Sequence, residues 1–417
     1  MLQATRHSSA AALKVAHRSL STTPYVPRIV DRRIDETGPG GRASDAGLKV
    51  AIFGASGMLG RYVCSHLGTF DSCWMMKPVC EGIFHKYFIL EYIGTNGYLT
   101  YLGNRGDDLE MRFLKVMFEL GRSKFVFYSP RDRDSMAEVI SDADVVINCI
   151  GKYYEPKRLE DIKTFPYLRY KTNFSFHETH VDIARTIAEL CTEMQVDNLI
   201  HVSSINASPD SKSEWARTKY EGERAVKEVY PWATIVRPTQ MFGPEDQLLN
   251  WFANAANRLP FVPLVDGGHA LTQPVYAVNV AEAISKILDA PEKFEGRTVD
   301  CFGPSDYSYK ELAAFVYDIT GQAPTVLDVP KDVAALSGMV LQYVGKPLVT
   351  PDLIQLWSED FIPPMTEAEY NAQPAKDKIL TLKDLDIVPV PIEKIAFNYL
   401  HRFRKGGHFS LTSGYHG

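Results

Sequence analysis

Leu48-Lys49-Val50-Ala51-Ile52-Phe53 runs without a break into Gly54-Ala55-Ser56-Gly57-Met58-Leu59-Gly60, a short apolar segment followed by three evenly spaced glycines. The apolar run reads as a strand of a parallel sheet covered on both faces. A helical pattern follows through Leu67, so the unit is strand, glycine turn, helix. The three glycines differ in what they allow. Gly54 permits the tight turn, Gly57 lets a phosphate approach the backbone, and Gly60 lets the helix pack close to the strand. The free N–H groups at the helix N-terminus then face a negative charge. Gly54, Ser56, Gly57, Met58, Leu59 and Gly60 are therefore candidate phosphate contacts.

Working outward, apolar runs recur at Phe125 to Tyr128, Asp144 to Cys149, Asn198 to Ser203 and Ala233 to Val236. Helical patterns cover Arg133 to Ile140, Phe174 to Glu193 and Glu214 to Val229. The alternation predicts an α/β fold, a Rossmann-type doubly wound parallel sheet with right-handed crossovers. It would occupy residues 48–243. From Pro244 the alternation fades and prolines multiply, so a smaller mixed C-terminal region is expected over 244–398. Asp71 to Ile93 breaks the link between the first helix and the second strand and shows no clean period. A lineage-specific loop and a gene-model error both account for it.

In this context the glycines predict a dinucleotide site rather than a structural turn. An acidic residue after the second strand would bond the ribose 2′-hydroxyl of NAD, whereas an arginine would take the 2′-phosphate of NADP. With the insertion skipped, the second strand is Tyr98 to Leu102, followed by Gly103, Asn104 and Arg105. Asn104 and Arg105 become candidate contacts and NADPH the expected cofactor. The plainer reading of Arg105 is a solvated loop charge beside Asp107 and Asp108.

Later strands end in Asn148-Cys149-Ile150-Gly151 and His201-Val202-Ser203-Ser204, and the sixth leads into Arg237-Pro238-Thr239-Gln240. With these ends in place the chain resembles an extended or atypical short-chain dehydrogenase/reductase. The resemblance implies cofactor contacts at Ile150, Gly151, Ser203 and Pro238. It also implies a Tyr that exchanges the proton and, four residues later, a Lys that holds the nicotinamide ribose. Here the window is Glu214-Trp215-Ala216-Arg217-Thr218-Lys219-Tyr220. Lys219 matches the lysine, with a solvated helix lysine as the plain alternative, but Trp215 stands where the tyrosine belongs. An indole N–H is only a donor and cannot do general acid/base work. Tyr220 lies on another helical face, and Ile205 occupies a position where many relatives carry a hydroxyl. No catalytic residue and no metal ligand is assigned.

Further segments narrow the likeness: Arg131-Asp132-Arg133-Asp134-Ser135, Phe242-Gly243-Pro244-Glu245-Asp246, Gln273-Pro274-Val275-Tyr276 and Phe302-Gly303-Pro304. Within the superfamily they resemble the NADPH-binding accessory subunits of mitochondrial respiratory complex I. That resemblance implies a tightly held structural NADPH and other complex I subunits as partners. It implies a peripheral seat on the matrix side of the mitochondrial inner membrane, near the quinone-binding region. The competing reading is an active mitochondrial NADP-dependent reductase or epimerase acting on a sugar-nucleotide or lipid-like substrate.

Composition is compatible with both. The 417 residues carry 45 Lys and Arg against 51 Asp and Glu, a formal net charge of −6, which disfavours nucleic acid as a partner. Six cysteines without a C-x-x-C pair read as reduced thiols. Met1 to Val30 holds no acid but has Arg6, Lys14, Arg18, Arg28 and several serines, the composition of a mitochondrial presequence, joined to the first strand by a linker at 31–47. Val333 to Gly345 is the longest charge-free candidate near the C-terminus and is too short to span a bilayer. Val333 to Val344 and Leu353 to Phe361 show helical stripes, read as core more readily than as partner surface. The basic, aromatic tail from Tyr399 to Gly417 is read most simply as frayed, with a contact to an acidic partner or to anionic lipid headgroups as the alternative.

Overall fold

Along the first strand, β1 (Lys49–Phe53), side chains alternate between two apolar layers, as the strand period of two requires. Val50 and Ile52 join Leu59, Val63 and Leu67 in one core, while Ala51 and Phe53 join Met136, Val139, Ile187 and Val226 in the other. A strand buried on both faces needs helices on both faces, which is the doubly wound arrangement expected. The computed structural model describes residues 48–68, 98–106, 109, 111–118, 121–155, 173–341, 349–374 and 378–404. The leader, the linker, the insertion at 71–93 and the tail beyond 404 lie outside the described residues.

The strands β2 (Leu99–Asn104), β3 (Ser123–Phe127), β4 (Val145–Asn148), β5 (Asn198–Val202) and β6 (Thr234–Pro238) fall within a few residues of the expected runs. So do the helices α1 (Met58–Gly68), α2 (Arg133–Ile140), α3 (Ile183–Met194) and α4 (Glu214–Val229). One local difference precedes α3, where Glu178–Asp182 forms a π-helical turn. β2 lies parallel between β1 and β3, which places Asn104 at its end and Arg105 just beyond.

The sheet does not stop at residue 243. Its order is Leu380–Thr381, Thr298–Cys301, β6, β5, β4, β1, β2, β3, every neighbouring pair parallel. Helix Ala277–Asp289 also returns to the sheet, and its Val280, Ile284, Ile287 and Leu288 share a core with α1. Residues after 244 thus complete the sheet as well as building the smaller region. That region has its own core, where Phe252, Leu264, Leu312, Val316, Ile392 and Leu400 meet. On the edge side, Tyr370 donates to Asp300 Oδ2 at 2.7 Å, tying Glu367–Ala372 to strand Thr298–Cys301.

The two C-terminal stripes part company. Pro351–Trp357 is a helix whose Leu353, Ile354 and Leu356 are buried. Helix Lys331–Leu341 instead leaves Val333, Leu336 and Met339 exposed. No helix among the described residues is long and apolar enough to cross a membrane. The tail begins later than expected: Tyr399 is buried and donates to Asp246 Oδ2 at 2.8 Å, and Arg402 reaches Asn250 Oδ1 at 2.8 Å. Both side chains belong to the fold because the ring has a core to enter and the guanidinium has an acceptor. The described cysteines are free thiols, and Cys64, Cys191 and Cys301 are buried.

Candidate functional site

The glycine loop joins β1 to α1 at the C-terminal edge of the sheet. Gly54 has φ +81°, and a Cβ there would stand 2.9 Å from the Cys149 carbonyl, so the turn excludes any L side chain. At Gly60 a Cβ would lie 2.3 Å from Gly54 O, because helix and turn touch through their backbones. Gly57 differs: a Cβ there would meet only Gly54 O, at 3.2 Å, with open space beyond. Its role is consistent with keeping the approach to the backbone clear. Ser56 and Gly57 are exposed, while the Leu59 side chain is core, which leaves only its main chain to serve a ligand. Arg61 braces the loop from below, donating from Nε to Ser56 O at 3.0 Å and from Nη1 to Glu245 at 2.7 Å.

At the end of β2, Asn104 is buried and its Oδ1 accepts from Gly106 N at 2.9 Å. Arg105 is exposed, with its guanidinium 5.5 Å from the centre of the Phe174 ring. Arg131, beyond β3, lies over the same ring at 4.6 Å. Two cations therefore sit on one aromatic platform beyond the ends of β2 and β3. In the sequence Arg131 belongs to a family-like segment and carries no site role of its own.

Across the strand ends, polar groups are fixed by their neighbours. Asn148 Oδ1 accepts from Ile150 N at 3.0 Å, which sets the amide so that Nδ2 faces His201 Nδ1 at 3.1 Å. His201 Nδ1 must then be an acceptor, and burial drives its pKa down to about 3, so the ring is neutral. Pro238 is buried and ends β6, its carbonyl accepting from Ile205 N at 3.1 Å. Ser203 Oγ and Ser204 Oγ are buried with no hydrogen-bond partner among the described residues. Lys219 is 7% exposed, and its Nζ has one long hydrogen bond, 3.5 Å to Val202 O. A Cβ on Gly151 would be 3.4 Å from that Nζ. Burial lowers the Lys219 pKa to about 8 against the opposing pull of Glu223, whose carboxylate is engaged by Arg237 at 2.9 and 2.5 Å. Buried polar atoms left short of partners mark a place where a ligand supplies them. Two hydroxyls and an ammonium beside a glycine cradle fit a dinucleotide's ribose and phosphates.

Trp215 sits one turn before Lys219 and faces away from open space. It is 8% exposed and packs with Phe176, Ile205, Leu353, Leu356 and Phe361. The position of the proton donor and that of the extra hydroxyl, Ile205, have become parts of one apolar cluster. Trp215 Nε1 donates to Lys152 O at 2.9 Å, so the indole's polar atom is satisfied. Its ring also meets Tyr153 and His180 edge-on, at 6.2 and 6.5 Å. Thr218 commits its proton to Trp215 O at 3.0 Å, which makes His180 Nδ1 the donor in their 2.9 Å contact. Nε2 is left to accept from Lys152 N at 3.2 Å, and desolvation holds the ring neutral. Tyr220 lies about 100° around the helix from Lys219.

Two contributors go unread in the sequence. Asp352, from helix Pro351–Trp357, accepts from Glu214 N at 2.7 Å, Trp215 N at 3.3 Å and Ser213 Oγ at 3.1 Å. It caps the positive end of α4 from outside and closes the C-terminal segment over Trp215. Tyr153, edge-on to Trp215, has its pKa pushed up to about 12 by burial. A Thr-Pro-Asp start at 350–352 signals a helix N-terminus, but only the fold shows that its carboxylate serves a second helix.

Comparison with known proteins agrees with this geometry. Residues 100–301 match the NAD dependent epimerase/dehydratase family. The chain is 32% identical over 375 residues to NADH dehydrogenase (ubiquinone) 1 alpha subcomplex subunit 9, mitochondrial, from Arabidopsis thaliana, covering 89% of this chain and 81% of that protein. It is 29% identical to the mitochondrial NADH-ubiquinone oxidoreductase 40 kDa subunit of Neurospora crassa, covering 89% and 84%. Among solved structures, an NADPH-dependent quinone oxidoreductase from Escherichia coli complexed with NADPH superposes with TM-score 0.56 at 14% identity, over 84% of this chain and 99% of that one. The fold is that of NAD(P)-binding proteins.

Proposed function

Because the chain belongs to the family of NADH dehydrogenase (ubiquinone) 1 alpha subcomplex subunit 9, we propose that it is a non-catalytic accessory subunit of mitochondrial complex I that holds NADPH as a structural cofactor. Its partners on this reading are other complex I subunits, and its seat is peripheral, on the matrix side of the inner membrane. The observation that carries the reading is Trp215. The nucleotide cradle is kept, while the position of the proton donor is buried in an apolar cluster with Ile205.

Gly54, Ser56, Gly57 and the first N–H groups of α1, those of Met58, Leu59 and Gly60, would receive the pyrophosphate. Lys219 and Ser203 would hold the nicotinamide ribose, with Ile150, Gly151 and Pro238 forming the walls. Arg105 with Arg131, beside Asn104, would take the 2′-phosphate and so favour NADPH over NADH. Bound NADPH can supply a hydride, yet nothing at Trp215 can move the accompanying proton. Binding only the folded state, the nucleotide stabilises it by mass action.

Native separation of mitochondrial membrane complexes, followed by peptide identification, tests the assembly. The chain is expected to migrate with the quinone-reducing complex, and its confinement to a free soluble pool would refute the proposal. Denaturing the purified chain is expected to release NADPH.

A further inference from the structure

Ser203 and Ser204, whose buried hydroxyls lack partners among the described residues, begin the loop that leads from β5 to α4. This loop also carries much of what holds the C-terminal segment 350–361. Ile205 joins the apolar cluster of Trp215, Leu353, Leu356 and Phe361. Asn206 Nδ2 donates to Asp360 O and Ser211 Oγ to Glu359 Oε2, both at 3.2 Å. Where the loop enters α4, Asp352 accepts from Ser213 Oγ, Glu214 N and Trp215 N. One turn later α4 presents Lys219 to the cradle, with Nζ beside Gly151. The next residue of that strand end, Lys152, accepts from Trp215 Nε1. Cradle and segment therefore grip one loop and one helical turn from opposite sides. The far end of the segment is moored elsewhere: Phe361 N donates to Leu271 O at 2.7 Å, and Gln273 N to Phe361 O at 3.2 Å.

We propose that the helix Pro351–Trp357 is a latch set by the nucleotide: occupancy of the cradle holds it against α4, and emptying the cradle frees it while Phe361 stays moored. The inference rests on the reading of the cradle as an NADPH site. Buried hydroxyls short of partners are costly. In the stripped protein only water can serve Ser203 and Ser204, and the loop admits water by parting from the segment. A nucleotide serves them with the loop in place. The ligand thus favours one arrangement over the other, which is what coupling between sites requires. By reciprocity, a neighbouring subunit that holds the helix down tightens NADPH by the same factor.

Hydrogen exchange of the purified full chain, stripped and then saturated with NADPH, tests the latch peptide by peptide. Peptides of the glycine loop report binding, and those of 351–359 report the latch. NADPH is expected to slow exchange in 351–359 roughly tenfold, an ordinary strength for coupled sites. Helix Tyr309–Thr320, in the core of the smaller region, is expected to change far less. Asp352→Asn weakens the bonds to Ser213, Glu214 and Trp215 without touching the cradle. In it, 351–359 is expected to exchange fast with or without NADPH, while the glycine loop is still protected. Should that variant fail to fold, Asn206→Ala removes the bond to Asp360 O and is expected to uncouple the two sites in the same way. Protection of the glycine loop alone in the unmodified chain overturns the latch and leaves the NADPH reading standing. Equal slowing in 351–359 and Tyr309–Thr320 is stabilisation of the whole fold and overturns it as well. No protection in either region refutes the NADPH reading and the latch with it.

Discussion

The indole of Trp215 is anchored on the loop that follows β4, its Nε1 donating to Lys152 O at 2.9 Å. This bond joins α4 to that loop beneath the C-terminal segment. Trp215→Phe keeps most of the packing and loses the bond, so a cost of about 1 kcal/mol is expected. Trp215→Ala empties the cluster and is expected to cost ~3–5 kcal/mol. Urea unfolding of the purified chain measures both, and equal losses would mean that packing contributes nothing.

The glycines separate folding from binding. Gly60→Ala drives a methyl against Gly54 O and is expected to lower stability by more than 1 kcal/mol, given typical overpacking costs of about 1–3 kcal/mol. Gly57→Ala meets one 3.2 Å contact and is expected to melt, once nucleotide is stripped from both proteins, at nearly the temperature of the unmodified chain, while losing nucleotide and the stabilisation that binding adds. Thermal melts, with nucleotide quantified after denaturation, check both variants.

Lys219 gives the nucleotide-free protein a pH signature. Its pKa is about 8 in the fold against 10.5 for an ordinary lysine. Below pH 8 both folded and unfolded chains carry the proton, and the burial cost is felt in full. Between about 8 and 10.5 the unfolded chain keeps a proton that the fold has released, so stability rises with pH, by at most about 1.4 kcal/mol per unit. Lys219→Met is expected to remove that rise from the denaturation series and to weaken nucleotide retention.

Arg105→Ala and Arg131→Ala are each expected to weaken NADPH roughly tenfold, the equivalent of about 1.4 kcal/mol, and to leave NADH almost unaffected. Isothermal titration of the stripped protein with both nucleotides decides. Equal losses for the two would move the 2′-phosphate elsewhere.

Asp300 acts in the opposite pH range. Burial raises its pKa from 3.8 to about 6 against the pull of Tyr370 and Arg237, and its Oδ1 has no hydrogen-bond partner among the described residues. Between pH 4 and 6 the fold holds a proton that the unfolded chain has lost, so its contribution to stability falls as pH rises. Above pH 6 the cost is complete. Asp300→Asn keeps an acceptor for Tyr370 and is expected to raise stability at pH 7 while flattening the acid limb of the curve.

The nucleotide half was legible because its signals are local. A strand buried on both faces, a glycine turn and a helix are written in adjacent residues, and Lys49–Phe53 to α1 follows them closely. Skipping the insertion set Arg105 just past the second strand, although β2 runs through Gly103 and Asn104, two residues beyond the apolar run that ends at Leu102. The strands Thr298–Cys301 and Leu380–Thr381 were missed since they are short and flanked by prolines and polar residues. Their place is set by pairing with β6 and with each other, and no periodicity records a partner. Asp352 escaped for the same reason, because a carboxylate that caps another helix has no sequence spacing to announce it. The missing tyrosine at Trp215 was visible, but its burial with Ile205 and Phe361 emerged only from the fold.

That late completion of the sheet bears on how the protein is made. A ribosome that has delivered everything through β6 has produced a nucleotide cradle beside an open strand edge, a template for pairing with other chains. Thr298–Cys301 must emerge before that edge is covered, and Leu380–Thr381 before the covering strand is itself flanked. Contacts so distant in sequence form slowly. The vulnerable species is therefore a nascent or C-terminally shortened chain, and a nonsense mutation anywhere between these two strands should yield an aggregating product rather than a smaller working domain.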